Sequence, residues 1–424
     1  MRRRVLVFPC GSEIGLEIFR SVSMSRHFHL VGGTSTFDSG QMYYSDIVNC
    51  IPQVNDSGFV DFLASVVEAE KIDLLYPAMD SVIYKLSESR SAFSCTVVTP
   101  EHSAVSICNS KLETYRILQN SVKTPKIYAR SEDVDKFPVY LKPDVGYGGR
   151  RHRLCSDREA VESYIRENPD CIILEYLPGQ EYTIDCFTRS DGRLLLVEPR
   201  ERNRIVNGIS ASSEAFAGER FEFEEIANSI NSLLRMRGAW FFQAKRDYQG
   251  RLTLMEVACR IAGSSGVNRL SGINLPLLTL FDFSDTLVRL PNGNKTEYRA
   301  HRALEYKAIV DVNYASVYVD LDDCLIIENS LNITLVTFLF QAAASGKRIV
   351  LITRSSRPVR PVLSNYRISE LFDEIIHLVN GEKKSRYISR DSIFVDDSFE
   401  EREEVLMALN IPVYAPDALS FFTR

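Results

Sequence analysis

Lys142-Pro143-Asp144-Val145-Gly146-Tyr147-Gly148-Gly149-Arg150 is the stretch on which the reading of this chain turns. It follows a short apolar run, Phe137 to Leu141, that reads as a strand. Glycines let the backbone approach a ligand closely and aim its N–H groups inward. Such a concavity suits a phosphate chain, and a neighbouring lysine adds charge. The lysine precedes the glycines, so this is not the G-x-x-x-x-G-K-[ST] phosphate loop. Taken alone, the stretch also fits an ordinary glycine loop, and the rest of the chain has to decide.

A chain of 424 residues is expected to form two or three domains, each with its own core. With 45% hydrophobic and 25% charged residues it reads as a soluble globular protein. A net charge of −6 gives no reason to expect nucleic acid or an anionic membrane as partner. The nine cysteines show no C-x-x-C pair, which argues against a disulfide framework or zinc site and for a reducing cytoplasm. Arg2-Arg3-Arg4 followed by Val5-Leu6-Val7-Phe8-Pro9 imitates a signal peptide, but the apolar run is short and reads as a first strand. No run is long enough to cross a bilayer.

Residues 1–108 open with the strand Val5 to Phe8, the turn Gly11-Ser12-Glu13-Ile14-Gly15, a helix to about Met24 and a second strand, Phe28 to Gly32. This is the doubly wound α/β pattern. The G-x-x-x-G spacing is not the dinucleotide fingerprint. Asp80 follows the strand ending at Pro77, where such sheets meet ligands; a plain turn or helix-cap carboxylate is the commoner reading.

Between 109 and 312, Lys111 opens a helix, a place that disfavours cations; it is either solvated or facing an anion. Cys171 to Glu175 and Glu181 to Asp185 read as strands around a tight turn, each with a carboxylate at the junction. Arg200, Arg202 and Arg204 alternate, which would put three cations on one face of an extended segment. An anionic ligand or a flanking acid such as Glu198 must then neutralise them. Gln243 and Glu256 lie on neighbouring strands and could share one pocket, with Arg260 further along the same face. Oxygen ligands beside a phosphate site suit magnesium.

In order and spacing, these motifs over roughly residues 1–310 resemble the ATP-grasp enzymes, near their carbamoyl-phosphate-synthase-like and carboxylate–amine ligase branch. The resemblance implies an α/β and α+β multidomain chain. A Rossmann-like domain (1–108) would precede an ATP-grasp domain (109–312) whose small subdomain (about 130–178) moves. It implies ATP and magnesium (or manganese) as cofactors. Lys111 and Lys142 would bind phosphates under the loop of Gly146, Tyr147, Gly148 and Gly149. Glu175, Tyr176 and Leu177 would meet adenine, and Glu181 the ribose. Gln243 and Glu256 would hold metal; Arg260, Arg200 and Arg204 would face substrate or phosphate. One departure stands out: the family usually has Glu-x-Asn-x-Arg, and here Ala258 replaces the asparagine. Water or Asn268 would have to take its place.

A new pattern begins near residue 315. Three apolar strands end in Asp320-Leu321-Asp322, in Thr353 and in Asp396-Asp397, with Lys383-Lys384 between the last two. Carboxylates gathered at one sheet edge demand a cation. Residues 315–424 resemble a capless phosphatase of the haloacid-dehalogenase (HAD) superfamily. That likeness makes Asp320 the nucleophile, Asp322 the general acid and base, Thr353 and Lys384 the phosphoryl ligands, and Asp320, Asp322, Asp396 and Asp397 the metal site. Cys324 stands where threonine is usual.

The expected function is therefore an ATP-dependent ligase that activates a carboxylate as an acyl phosphate for attack by an amine. A fused phosphohydrolase would act on a phosphorylated compound of the same pathway, and a homodimer is expected by analogy. A small-molecule kinase–phosphatase pair and a nucleotide-binding sensor or scaffold are the alternatives.

Overall fold

The computed structural model describes residues 2–146, 149–206, 209–290, 297–303, 308 and 310–423. Tyr147 and Gly148 of the glycine turn lie outside them. The chain divides into two units, Met1–Ala303 and Leu304–Arg424.

The first unit opens with a parallel sheet of β1 (Arg3–Phe8), β2 (Phe28–Gly33), β3 (Asp46–Val48), β4 (Leu74–Pro77) and β5 (Thr96–Val97), in the order β3-β2-β1-β4-β5. Strand side chains alternate in direction. Val5 and Val7 therefore enter one core with Ile14, Ile18 and Leu280, while Leu6 and Phe8 enter another with Phe59, Leu63 and Leu75. Burial on both faces is why these strands read as continuous apolar runs. The helix Glu13–Val22 begins right after the turn behind β1. Ser12 caps it, its Oγ accepting from the Gly15 N–H at 3.0 Å and donating to the Pro9 carbonyl at 2.8 Å.

A small antiparallel sheet follows: β6 (Ile127–Tyr128), β7 (Val139–Pro143), β8 (Arg153–Cys155) and β9 (Cys171–Glu175), ordered β6-β9-β7-β8. The third sheet holds β10 (Glu181–Thr188), β11 (Leu194–Val206), β12 (Ile209–Ala215), β13 (Gly238–Arg246), β14 (Leu252–Ala258) and β15 (Arg299–His301), ordered β14-β13-β10-β11-β12-β15. β11 runs on through the basic segment that holds Arg200, Arg202 and Arg204.

The register of this third sheet sorts its side chains by chemistry. Directly opposed residues share a face. One face carries the rows Glu256–Gln243–Thr183–Arg200 and Ala258–Phe241–Asp185–Glu198. The other carries Ile184, Phe242 and Val257, all in an apolar core with Phe223 and Trp240. The ladder slips between Gln243 and Ala244, so that Gln243 faces Glu256 and Ala244 faces Leu254. Met255 is the extra residue, a β-bulge.

The expected three-arginine face is corrected on two counts. The β11–β12 register also shifts between Arg202 and Arg204, and Arg204 is exposed while Arg200 and Arg202 are buried. Protein carboxylates neutralise the buried pair. The Arg200 Nε donates to Asp185 at 2.8 Å, both side chains being 0% exposed, and Arg202 pairs with Glu181. Glu198, the acid expected to serve them, instead binds Arg220 at 2.6 and 2.8 Å.

The second unit is a parallel sheet of β16 (Ser316–Val319), β19 (Arg348–Thr353), β20 (Glu374–His377), β21 (Ser392–Val395) and β22 (Val413–Tyr414), ordered β20-β19-β16-β21-β22. A two-stranded hairpin, β17 (Ile326–Ile327) and β18 (Ser330–Leu331), follows the first strand. Both faces are again buried: Val317 and Val319 in one core, Tyr318 and Val350 in the other.

Truncating one member of a buried ion pair strands its partner's charge. Arg200→Met should lower unfolding free energy by about 3–5 kcal/mol in urea titration. Arg200→Met/Asp185→Asn, which removes the stranded charge and keeps an amide oxygen for Asn268, should recover most of that loss. Equal stability of the single and double variants would show that Asp185 is not the charge being stabilised.

Candidate functional sites

In the first unit the polar face of the third sheet lines a cavity of about 680 Å³. Ser12, Glu13 and Asp80 enter it from the ends of β1 and β4, Gln243 and Glu256 from the sheet floor, and Arg202, Arg260 and Arg302 as its basic groups. Gly149 and Arg150 border it from the glycine turn.

Both predicted phosphate lysines are buried beside it, neither of them solvated. The Lys142 Nζ donates to the Tyr115 hydroxyl and to the Met255 carbonyl, each at 3.0 Å. The bulge leaves that carbonyl available. The Lys111 Nζ donates to the carbonyls of Asp144 at 3.0 Å and Gly146 at 3.2 Å. Burial lowers the pKa of both, that of Lys142 to about 8, and the charge of Lys142 adds to the effect at Lys111. Across the ladder, burial and then these two lysines push His152 down to about 4; its Nδ1 meets the Tyr140 hydroxyl at 3.1 Å.

Gln243 and Glu256 are directly opposed, so their oxygens point into one space. Ala258 adds none. Asn268, the expected substitute, is instead committed to structure: its Nδ2 donates to Asp185 at 2.8 Å and it is almost wholly buried. Arg260 lines the same cavity. Its fork, expected to hold phosphate, is closed bidentately on Asp80 at 2.7 and 2.8 Å. Asp80 is thus neither a helix cap nor a free ligand group: Met79 is the N-cap of the helix Asp80–Glu88. Arg200 stands on the same face as Gln243 but is covered, its Nη1 donating to the Ser264 Oγ at 2.8 Å, and Arg204 does not line the cavity.

At the expected adenine end, the Glu175 Oε1 accepts from the Lys126 N–H at 3.1 Å. The Lys245 Nζ sits 5.9 Å from the Tyr176 ring centroid, and Leu177 is buried. Glu181 is held by Arg202 and by Lys245 at 3.7 Å. Sequence reasoning missed Glu13, which pairs with Arg302 just past the end of β15, and the tight fit of Gly263 against it. A Cβ on Gly263 would fall 1.8 Å from the Glu13 Oε1. Glycine in the small-residue turn 262–266 was the one signal available.

In the second unit, the C-terminal ends of β16 and β21 bring Asp320, Asp396 and Asp397 together, one oxygen of each within 4.8 Å of the others. The Lys384 Nζ donates to both Asp320 and Asp396 at 2.6 Å. Lys383 turns away to Glu404 at 3.9 Å. Burial raises Asp320 to about 6, with the neighbouring aspartates adding to it against the pull of Lys384. Thr353 is buried at the end of β19, its Oγ1 accepting from the Ser355 N–H at 3.1 Å. Asp322 is not in the carboxylate cluster; it pairs with Arg357. Cys324 is buried, its thiol directed at the Val395 carbonyl.

Lys142 yields a stability test. Its depressed pKa means that folding must desolvate a charged ammonium at neutral pH, a cost relieved as pH rises from about 8 toward the unfolded value. Tyr115 also donates to the Met255 carbonyl at 2.6 Å, so removing the lysine leaves that carbonyl paired. Lys142→Met should raise the Tm at pH 7, by an amount equivalent to up to about 3 kcal/mol, and the gain should shrink between pH 8 and 10.5. A variant less stable than wild type at pH 7 would contradict this.

Residues 167–310 match the family described as ATP-grasp in the biosynthetic pathway with Ter operon. A D-alanine–D-alanine ligase from Fusobacterium nucleatum subsp. nucleatum is 26% identical over 198 residues, which are 43% of this chain and 66% of that protein. The chain thus spans just under two thirds of that relative's length. Among solved structures, the biotin carboxylase domain of Hydrogenobacter thermophilus 2-oxoglutarate carboxylase, in complex with MgADP, ADP and bicarbonate, superposes with a TM-score of 0.58. It is 14% identical, over 68% of this chain and 71% of that one. An L-amino acid ligase from Bacillus licheniformis gives 0.56 at 17% identity, over 67% and 74%. Over 67–68% of its length the chain therefore shares its fold with these carboxylase and ligase structures, and over residues 167–310 it is similar to ATP-grasp proteins.

Proposed function

We propose that the first unit is an ATP- and magnesium-dependent ligase that activates a carboxylate for attack by an amine. The observation that carries the reading is the polar face of the third sheet. Gln243 and Glu256 share a row on it, with Lys142 and Lys111 buried alongside. The named activities of the ligase relatives support the same chemistry. ATP would lie between the small sheet and the third sheet, its phosphates exchanging with the Met255 and Asp144 carbonyls for the two lysines. Glu175, Tyr176, Leu177 and Glu181 would meet the nucleoside, and Gly146, Tyr147, Gly148 and Gly149 would cover the phosphates. Two opposed oxygen groups fit magnesium that keeps its waters and binds phosphate. The metal would neutralise charge on the transferring phosphoryl group.

The carboxylate oxygen attacks the terminal phosphorus and ADP leaves. The amine then attacks the acyl carbon, the C–N bond forms, and phosphate and a proton depart. Arg202, Arg260 and Arg302 are each paired with a carboxylate; Arg302, the most exposed of the three, would meet the substrate carboxylate by leaving Glu13.

For the second unit we propose phosphomonoester hydrolysis. The Asp320 carboxylate attacks phosphorus and the ester P–O bond breaks as the aspartyl-phosphate bond forms. The leaving oxygen takes a proton from Asp322. Water then attacks phosphorus, giving a proton back to Asp322, while the Asp320–phosphorus bond breaks and phosphate leaves. Lys384 and Thr353 hold the phosphoryl oxygens, and the converging oxygens of Asp320, Asp396 and Asp397 fit a magnesium ion. Ala258 favours a second reading of the first unit, as a nucleotide sensor that binds without turnover.

With ATP, Mg²⁺ and pools of amino acids and other carboxylates, the protein should release ADP in an amine-dependent way. Glu256→Ala should slow this by about a hundredfold, the order of one lost electrostatic contact to a transition state. ADP release that no pool stimulates, with nucleotide still bound, would favour the sensor. Hydrolysis of p-nitrophenyl phosphate should disappear in Asp320→Asn; a variant retaining it would exclude Asp320 as nucleophile.

A further inference from the structure

Closing one edge of a guanidinium on a carboxylate leaves the rest of its hydrogens available. The group carries five N–H bonds in one plane. In Arg260 three have partners among the described residues: the Nε and one Nη2 hydrogen meet Asp80, and one Nη1 hydrogen meets the Ile261 carbonyl at 3.1 Å. One hydrogen on each Nη is left over. The side chain is 17% exposed and borders two hollows, the cavity of about 680 Å³ and a recess of about 70 Å³. Lys111, Gly146, Asp80 and Glu256 line the recess with it. A hollow this small, against about 300 Å³ for the least of the usual ligand pockets, takes a group of a few atoms.

Everything around Arg260 fixes its plane. Asp80 takes two hydrogens side-on, Ile261 takes a third, and the Phe241 ring centroid lies 5.2 Å from the guanidinium carbon. Asp80 is itself well placed. It comes just after β4 and stands in the first turn of the helix Asp80–Glu88, where a carboxylate is favoured. The acid that shares both hollows with this pair is Glu256. An arginine released from Asp80 would turn to Glu256 and compete with the metal. The Asp80–Arg260 pair is neutral as a whole, so the net positive charge of the place comes from Lys111 and Lys142. What Arg260 adds is direction. Donors fixed before the ligand arrives stabilise developing charge without the cost of reorganising.

Resting on the ligase reading of the first unit, we infer that Asp80 is a positioning residue: it holds Arg260 side-on, so that the two remaining N–H groups meet the phosphoryl group in transit from ATP to the carboxylate. Arg260 touches that group without leaving Asp80, and Asp80 acts only through Arg260. The two residues stand 180 positions apart. The phosphoryl site of the third sheet is thus completed by a residue that the first, parallel sheet supplies.

The test needs no substrate. MgADP is titrated into the full chain by calorimetry, alone and with fluoroaluminate, a mimic of the phosphoryl group in transit. Wild type should bind MgADP about tenfold or more tightly with fluoroaluminate than without, the worth of a charged hydrogen bond. In Asp80→Asn that ratio should fall close to one, and Asp80→Glu should restore part of it. A mere latch between the two sheets would weaken MgADP equally with and without fluoroaluminate. A ratio in Asp80→Asn that stays at the wild-type value therefore overturns the inference. If Asp80→Asn does not fold, Arg260→Lys decides: it keeps a cation for Asp80 but has no second edge, and a ratio unchanged in it overturns the inference as well. So does a wild type that binds MgADP and gains nothing from fluoroaluminate, while nucleotide binding stands. A wild type that binds no MgADP removes the ligase reading and the inference with it.

Discussion

A buried ammonium needs acceptors, and in the first unit that need joins two sheets. Lys142 stands at the end of β7 in the small sheet and reaches the carbonyl of Met255 in the third. A regular antiparallel ladder would have used that carbonyl within the sheet. The bulge at Met255 makes it available, and the same slip sets Glu256 opposite Gln243. One irregularity thus anchors the lysine and orients two oxygen groups. The depressed pKa of Lys142 measures the cost of holding it in a dry site. A charged site held at a cost to stability is common where a ligand later supplies the counter-charge.

Both units meet a surplus of charge in the same way. Arg202 with Glu181, Arg260 with Asp80, Arg302 with Glu13 and Arg357 with Asp322 each join a basic group to an acid near a site. Binding an anion at any of these places but Arg260 is an exchange of partners, so affinity depends on the difference between two ion pairs. Buried pairs such as Arg200–Asp185 are poor candidates for exchange, because opening them strands a charge where no water reaches. Half-exposed pairs can open. Burial therefore separates structural arginines from those able to meet substrate.

Much of this was legible in the chain. The apolar runs that became β1, β9, β16 and β21 are local signals, whereas the register that sets Glu256 opposite Gln243 depends on the slip at Met255. The aspartates after β16 and β21 follow from strand ends alone. What stayed hidden depended on contacts between distant segments. Nothing near Arg260 announces Asp80 on the far side of the chain, and nothing near Asn268 announces Asp185. The three alternating arginines were read as one row because a bulge between Arg202 and Arg204 leaves no local mark. Asp322 has the spacing of a site residue, and only the loop after β19 shows that an arginine holds it.

Gly263 has a consequence for how this protein can change. A methyl group on its Cα would push the end of the Glu13 side chain aside. Whether Glu13 turns away or is replaced by something shorter, its hold on Arg302 loosens. The three positions, scattered over almost the full length of the first unit, are therefore coupled. Where a descendant of this chain accepts a different substrate, the record of that shift is expected as correlated replacement at 13, 263 and 302.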